Sequence, residues 1–347
     1  VTAELEGHSW DRSLSRAIGE RVNWARAIAG GPLAHGFDHY FGDTVINFPP
    51  YCWIRDDKVV EAPDTLMDTS KWKPIKEGNW ECRPGPMITG WDPYQNISTL
   101  TREGVEYLRG RKDQQQPFFL YMAFPAPHAP IIPRDEFDGS SEAGPFGDFV
   151  VETDDACGRL LAALEESGLA QDTIVIFTAD TGPEHYAYAR DAKFEHWSAA
   201  PFRGLKRDIY EGGHHVPFLV RWPGVVEAGG TSKALVSQVD LMATLAAVVG
   251  AELPDDAAED SHDLLPLLRG EVGSVRTSHV HNTYKDQYAI RAGDWLLVAA
   301  KTGYVSKRNA QWEARHGVPA DDDGPVELYD LAKDIGQRVN LAGEHPE

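Results

Sequence analysis

The sequence predicts an α/β protein with a mostly parallel central sheet and a small antiparallel sheet at its C-terminal end. Three observations carry this. Apolar, β-branched or aromatic runs at 117–124, 174–178 and 217–222 have the texture of strands covered on both faces. Amphipathic helical patterns at 98–112, 150–168 and 237–250 alternate with them along the chain. From about residue 276 the texture changes to short alternating strands separated by turn signals. The expected division is a core domain over 1–275 and a small α+β subdomain over 276–347.

Taken in order, residues 11–29 read as a helix, with Leu14, Ile18, Val22, Trp24 and Ile28 near helical spacing. Residues 44–97 are irregular and rich in Pro, Trp and charge, as expected of a functional loop region. The tryptophans there either stack on a sugar ring or plug the loop onto the core, the second being the ordinary use of indoles. Asn96-Ile97-Ser98 is a glycosylation sequon. Ser98 is the expected cap of the next helix, with Leu100, Val105 and Leu108 inward. The run 117–124 leads into Pro125, Pro127, Pro130 and Pro133, which hold a stiff extended turn with His128 in its middle. The helix at 150–168 carries Val150, Cys157, Leu160, Leu161 and Leu164 on one stripe and stops at Gly168. Strand, helix and strand over 117–180 then read as a βαβ crossover. The helix at 237–250 has Ser237 as its expected cap and Gly250 as its stop. The four C-terminal strands are expected in 277–282, 287–293, 294–301 and 326–331, with an acidic run at 321–323 between the last two.

Composition narrows the function. The chain has 347 residues, 42% hydrophobic and 25% charged, with 33 Lys plus Arg against 54 Asp plus Glu, a formal charge of −21. Such a surface repels nucleic acid and anionic membranes, so an anionic substrate needs a local basic site. No apolar run approaches the ~20 residues of a membrane span. Cys52, Cys82 and Cys157 make no CxxC and no zinc spacing. Cys52 and Cys82 lie in loop-like sequence and are a candidate disulfide pair, whereas Cys157 reads as buried and inert. No P-loop, G-x-G-x-x-G, G-x-S-x-G or H-E-x-x-H occurs.

Three groups border the predicted strands: His128 on its proline turn, Asp180 at a strand end and Lys206 in FRGLKRD. Parallel neighbouring strands would bring all three to one sheet edge, where ligands sit in open α/β sheets. A carboxylate there can hold calcium or magnesium, a lysine can bind an anion, and a histidine can protonate a leaving oxygen. Singly, each residue type is more often a cap, a surface charge or a structural group. Together they resemble machinery for cleaving a sulfate or phosphate ester. His279 and His281 alternate onto one strand face and mimic a metal pair, though a strand-entry pair is the ordinary reading. His214 and His215 are a poor chelate if extended.

The chain resembles a type I sulfatase, the arylsulfatase-like branch of the alkaline phosphatase superfamily. The matching stretches are GFDHYFGD (36–43), 117–133, DTIVIFTADTGPE (172–184), FRGLKRDIYEGGHHVPFLVRWPG (202–224), 237–250, 264–271, 288–298 and 327–342. The resemblance implies an alkaline phosphatase-like sandwich and hydrolysis of a sulfate ester of a glycan or an aryl group. It implies catalytic and substrate-binding roles for His128 and Lys206, and calcium, rather than magnesium, at Asp180. Thr181 stands where the family commonly has an Asn metal ligand, and His215 where the YEGG turn commonly has Arg. A sulfated small molecule or glycan is the implied partner, and a periplasmic or secreted location is usual in the family.

The family's C/S-x-P-x-R motif, whose Cys or Ser becomes the formylglycine nucleophile, does not occur here, nor do its paired aspartates and GKWHLG-like segment. Cys82-Arg83-Pro84-Gly85 has its proline one place early. The expectation is a sulfatase lacking its front segment, with weak or no calcium binding by the chain alone. The alternatives are a non-catalytic sulfated-glycan binder and a phosphodiesterase or phosphonate hydrolase of the same superfamily.

Overall fold

The computed structural model describes residues 19–284, 286–318 and 324–345. It divides into two compact units, Val1–Ala170 and Gln171–Glu347. The expected helix at 11–29 lies partly outside the described residues, and from Val22 onward the chain is irregular. The acidic run at 321–323 lies outside them altogether.

The first unit begins with short hairpins: β1 (Phe41–Gly42), β2 (Ile54–Arg55) and β3 (Lys58–Val59) form one antiparallel sheet. A second joins β4 (Thr65–Leu66) to β5 (Pro86–Met87). Aromatic packing organises this loop region. Tyr51, Met67, Met87 and Trp91 are buried, with Trp53 and Trp72 against them. Trp53 and Trp91 lie 5.0 Å apart, and Trp72 and Trp80 4.9 Å. The indoles therefore plug the loops onto their own core. Cys52 and Cys82 are free thiols, which corrects the expected pairing. In an extended segment neighbouring side chains face opposite ways. Tyr51 reaches the Cys82 side, so Cys52 turns away, toward Asp43. Burial pushes both thiols up to about 12.

Helix α1 (Asn96–Gly110) packs against α2 (Gly144–Glu166). Ser98 does not cap α1; it lies inside the helix, its hydroxyl donating to the Gln95 carbonyl at 3.1 Å. Asp92 instead caps the preceding 3-10 turn, accepting from the Tyr94 amide at 3.1 Å. The sequon is not presented, because Asn96 is 1% exposed and its amide donates to Asp43 Oδ2 at 2.8 Å. Helix α2 starts six residues before the expected position, where Pro145 supplies a first-turn φ without needing a hydrogen bond.

The run 117–124 is not a strand among the described residues. Its side chains alternate between exposed and half-buried, and Phe119 and Tyr121 are 60% and 72% exposed. One face is open and no ladder partner lies alongside among the described residues, so the expected two-sided burial and βαβ unit do not form there.

In the second unit, β6 (Val175–Thr178) pairs with β7 (Phe218–Arg221) in antiparallel register, Phe177 opposite Leu219. This corrects the parallel arrangement assumed for the site-bearing strands. The face carrying Phe177 and Leu219 is open rather than covered. Helix α3 (Tyr186–Phe194) and the short α4 (Glu211–His214) lie between these strands in sequence. Helix α5 (Asp240–Val249) ends at Gly250, whose φ of +68° suits a residue without Cβ. Its expected cap, Ser237, is replaced by the reverse device: the Ser237 amide donates to Asp240 Oδ2 at 2.8 Å. After α6 (Leu265–Leu268) come β8 (Ser278–Thr283), β9 (Gln287–Ala292) and β10 (Trp295–Val298), then α7 (Ala310–His316) and β11 (Glu327–Asp330). The four strands form the expected antiparallel sheet, in the order β11-β10-β9-β8. Its inner residues Ala289, Leu296, Val298 and Tyr329 bury against Ile209 and Tyr210, so the sheet is the floor under the FRGLKRDIYEGG segment.

Candidate active site

Close backbone approaches build the second unit's site. After β6 the chain runs through Asp180, Thr181, Gly182 and Pro183. The Gly182 amide donates to the Gly213 carbonyl at 3.0 Å, and the Lys206 amide to the Pro183 carbonyl at 2.8 Å. The Gly212 amide donates to the Arg203 carbonyl at 2.8 Å. A Cβ on Gly182 would lie 1.8 Å from the Gly212 oxygen, and one on Gly212 2.2 Å from the Gly204 oxygen. Glycine is thus required because three backbone segments touch, which explains the T-G, R-G and E-G-G spacing. Asp180 is exposed at the strand end and Lys206 half-buried on the adjoining turn. Gln238 Nε2 donates to the Ala179 carbonyl at 2.5 Å, fixing the chain just before Asp180.

Buried ionic groups hold this turn from behind. Arg203 is 2% exposed; its guanidinium donates to the Tyr304 hydroxyl at 3.1 Å, the Tyr329 hydroxyl at 2.9 Å and the Gln337 carbonyl at 2.9 Å. It also lies over the Tyr210 ring at 4.1 Å. Burial works against its charge, but the surrounding phenols outweigh it and raise its basicity. Asp208 accepts from the amides of Leu205, Val305 and Ser306 at 2.9–3.0 Å. Burial nevertheless raises its carboxyl above the usual range. Glu211 Oε2 meets His215 Nδ1 and Arg291 Nη1, each at 2.8 Å. Burial alone would raise Glu211; the His215 hydrogen bond and the Arg291 charge overcome it and hold the group low. His215 also stacks on Phe202 at 4.3 Å, so the residue standing in place of arginine still anchors the turn.

His128 belongs to the first unit. Its amide donates to the Pro125 carbonyl at 3.0 Å, and its Nδ1 lies 2.6 Å from the Ala129 carbonyl. A carbonyl only accepts, so Nδ1 carries the proton. The second unit therefore brings Asp180, Thr181 and Lys206 onto two tied loops, while His128 is fixed within the first. Sequence reading missed Arg203, Asp208, Glu211 and Gln238 as supports. Its signal for Arg203 and Glu211 was the RG-x-K and YEGG spacing, whose buried role needs the fold to be seen.

The donor chemistry at the strand end suits a hard cation. Asp180 offers a carboxylate without a hydrogen-bond or ion-pair partner among the described residues. Thr181 Oγ1 donates to the Gly182 carbonyl at 3.0 Å and keeps oxygen lone pairs for a metal. These are at most three oxygens against the roughly six to eight that calcium takes.

This α/β architecture is of the alkaline phosphatase-like class. A solved structure from work on glycosaminoglycan metabolism by Bacteroides thetaiotaomicron matches with a TM-score of 0.75 and 26% identity, covering 93% of this chain and 72% of that one. The chain belongs to the sulfatase family: the Sulfatase profile matches residues 16–251, and the C-terminal profile of N-sulphoglucosamine sulphohydrolase matches 204–346. It is 31% identical to mouse N-acetylgalactosamine-6-sulfatase, over 90% of this chain and 59% of that protein. It is 32% identical to N-acetylgalactosamine-6-O-sulfatase of Bacteroides thetaiotaomicron, over 74% and 49%. Human arylsulfatase A is 38% identical over 66% of this chain and 45% of its own length. The chain thus spans about half to three-fifths of these curated relatives.

Proposed function

We propose that this chain is part of a sulfatase that hydrolyses a sulfate ester of a carbohydrate. The observation that carries the reading is the pairing of Lys206 with Pro183 and of Gly182 with Gly213, which ties the lysine turn to the Asp180 loop. A formylglycine on sequence joined to this chain would supply the nucleophilic oxygen, and a calcium ion would supply positive charge against the sulfate oxygens. Asp180 and Thr181 would contribute oxygens to that ion. Lys206 places an ammonium on the sulfate and on the ester oxygen, where negative charge grows as the sulfur–oxygen bond breaks. His128, its Nδ1 held on Ala129, takes the role the family resemblance gives it, supplying a proton to the departing alcohol oxygen. The N-acetylgalactosamine-6-sulfatase relatives favour a sulfated amino sugar as substrate. A periplasmic or secreted location fits that substrate, and no described helix is long and apolar enough to cross a membrane.

The test is sulfate release by the chain joined to its natural upstream sequence, with formylglycine confirmed by mass spectrometry. Sulfated N-acetylgalactosamine, an aryl sulfate and the matched phosphate esters are the substrates. Turnover of the sulfates above the phosphates is expected. Faster turnover of the phosphates, or none of any ester, overturns the reading, the latter in favour of a glycan binder.

A further inference from the structure

Three imidazoles outside the proposed sulfate site gather on the C-terminal sheet. His279 and His281 are two apart on β8, so the pleat puts them on one face, and their rings lie 6.1 Å apart at 14°. His214, at the end of α4, brings its ring centroid to 4.5 Å from that of His281. Successive carbonyls of one turn orient this inner pair. His281 Nε2 lies 3.1 Å from the Ile209 carbonyl, and the His214 ring donates to the Asp208 carbonyl. An imidazole that gives one N–H to a carbonyl has a lone pair on its other nitrogen. Metal-binding histidines are oriented in this way.

His279 differs in its tautomer. Its Nδ1 lies 3.3 Å from Arg276 Nη1, which can only donate. Nδ1 must accept, the proton sits on Nε2, and no lone pair remains for a metal. The neighbouring guanidiniums do not leave net charge against a cation, since Arg276 pairs with Asp240 and Arg291 with Glu211. His214 is exposed, so the pair opens to solvent. Among the described residues no third acidic, thiol or imidazole ligand closes on it, and water completes the coordination.

We propose that His214 and His281 form a two-imidazole site for a divalent transition metal of the nickel, copper or zinc class, with His279 packed behind it and not ligating. Imidazole nitrogen favours these ions over calcium, so the site is chemically separate from Asp180.

The test uses the full chain with excess calcium present. Calorimetry with Ni²⁺ is expected to show one equivalent binding, with affinity falling at least tenfold in His214→Ala and in His281→Ala. His279→Ala is expected to keep it. Cu²⁺ electron paramagnetic resonance is expected to show two nitrogen ligands, one being lost in His281→Asn, which guards against misfolding of the alanine variant. Absence of one-to-one binding, binding unchanged in the double alanine variant, or equal loss in His279→Ala overturns the proposal. Retention of the site in Asp180→Ala is expected, and its loss there would also overturn it.

Discussion

The backbone amide of Lys206 donates to the carbonyl of Pro183 at 2.8 Å, so this tie of the lysine turn is made by the main chain and not by the lysine side chain. Replacing Lys206 by alanine keeps that amide. Lys206→Ala is therefore expected to fold and melt like the parent while losing about 10²–10³ in kcat/KM on a sulfate ester, the scale of removing one preorganised charge donor. The measurement is steady-state kinetics under the conditions of the sulfate-release test, alongside thermal melting. A parallel loss of melting temperature would mean that the side chain supports the fold instead.

Gly182 tests the close approach itself. Its missing Cβ would sit 1.8 Å from the Gly212 carbonyl oxygen, a backbone atom that cannot rotate aside. Gly182→Ala is expected to destabilise the protein by roughly 2–4 kcal/mol, the range of severe packing strain. Gly158 is the control, since a Cβ there meets nothing within 4 Å and it lies inside helix α2. Gly158→Ala is expected to be neutral or stabilising by about 0.5–1 kcal/mol. Urea denaturation of both variants decides the matter.

These two residues mark how far the sequence was legible. Asp180 and Lys206 could be found because each borders an apolar run, and the structure ties their loops together through atoms every residue has. The antiparallel β8–β11 sheet was legible from its period-2 alternation. The run 117–124 was not, because an apolar texture reports that a segment seeks cover without saying which strand lies beside it. The same limit applies to β6 and β7, where Phe177 and Leu219 face out together. Arg203 was unreadable for another reason: its three hydrogen-bond partners are 101 to 134 residues away in sequence. The capping residues failed locally, since Ser98 and Ser237 match the rule while Asp92 and Asp240 make the bonds.

Asp240 is fully buried and binds the Arg276 guanidinium, the Ser237 amide and the His262 amide. Burial would raise its carboxyl, but Arg276 and the two amides overcome it and hold the group below its ordinary value. Asp240→Asn leaves Arg276 charged, buried and without its counter-ion, with an expected cost of about 3–5 kcal/mol. A double variant with Arg276→Met is expected to recover part of that loss. The Asp240 contribution is present above the unfolded carboxyl pKa and fades as pH falls through the lower folded value. Asp240→Asn should therefore narrow its deficit in acid, as seen by denaturation at pH 7 and pH 3.

Asp43 behaves oppositely. Burial pushes its carboxyl up to about 6, against the lowering effect of its own backbone and of Asn96. A group whose folded value is raised favours the folded state when protonated. Its stabilising share is complete below the unfolded carboxyl pKa and is lost as pH rises through about 6. Asp43→Asn supplies a neutral side chain that still accepts from Asn96. It is expected to gain about 1–3 kcal/mol at pH 8 and little at pH 4. Equal gains at both pH values would remove the carboxyl's ionisation as the cause.

Calcium affinity separates the donor atoms in this chain from those it lacks. Asp180 and Thr181 provide at most three oxygens, and the Thr181 hydroxyl is a neutral donor already turned toward the Gly182 carbonyl at 3.0 Å. Calcium sites reach micromolar affinity through several carboxylates in one rigid shell, whereas sparse donor sets fall toward the millimolar range. Calorimetry of the 347-residue chain is therefore expected to show millimolar or no calcium binding. Thr181→Asp should tighten it by adding a second carboxylate, while Thr181→Val should weaken it. Joined to a segment carrying the family's paired aspartates, the chain is expected to bind calcium more tightly. Micromolar affinity for the chain alone, lost in Asp180→Ala, would show that further oxygens from these residues already close on the ion.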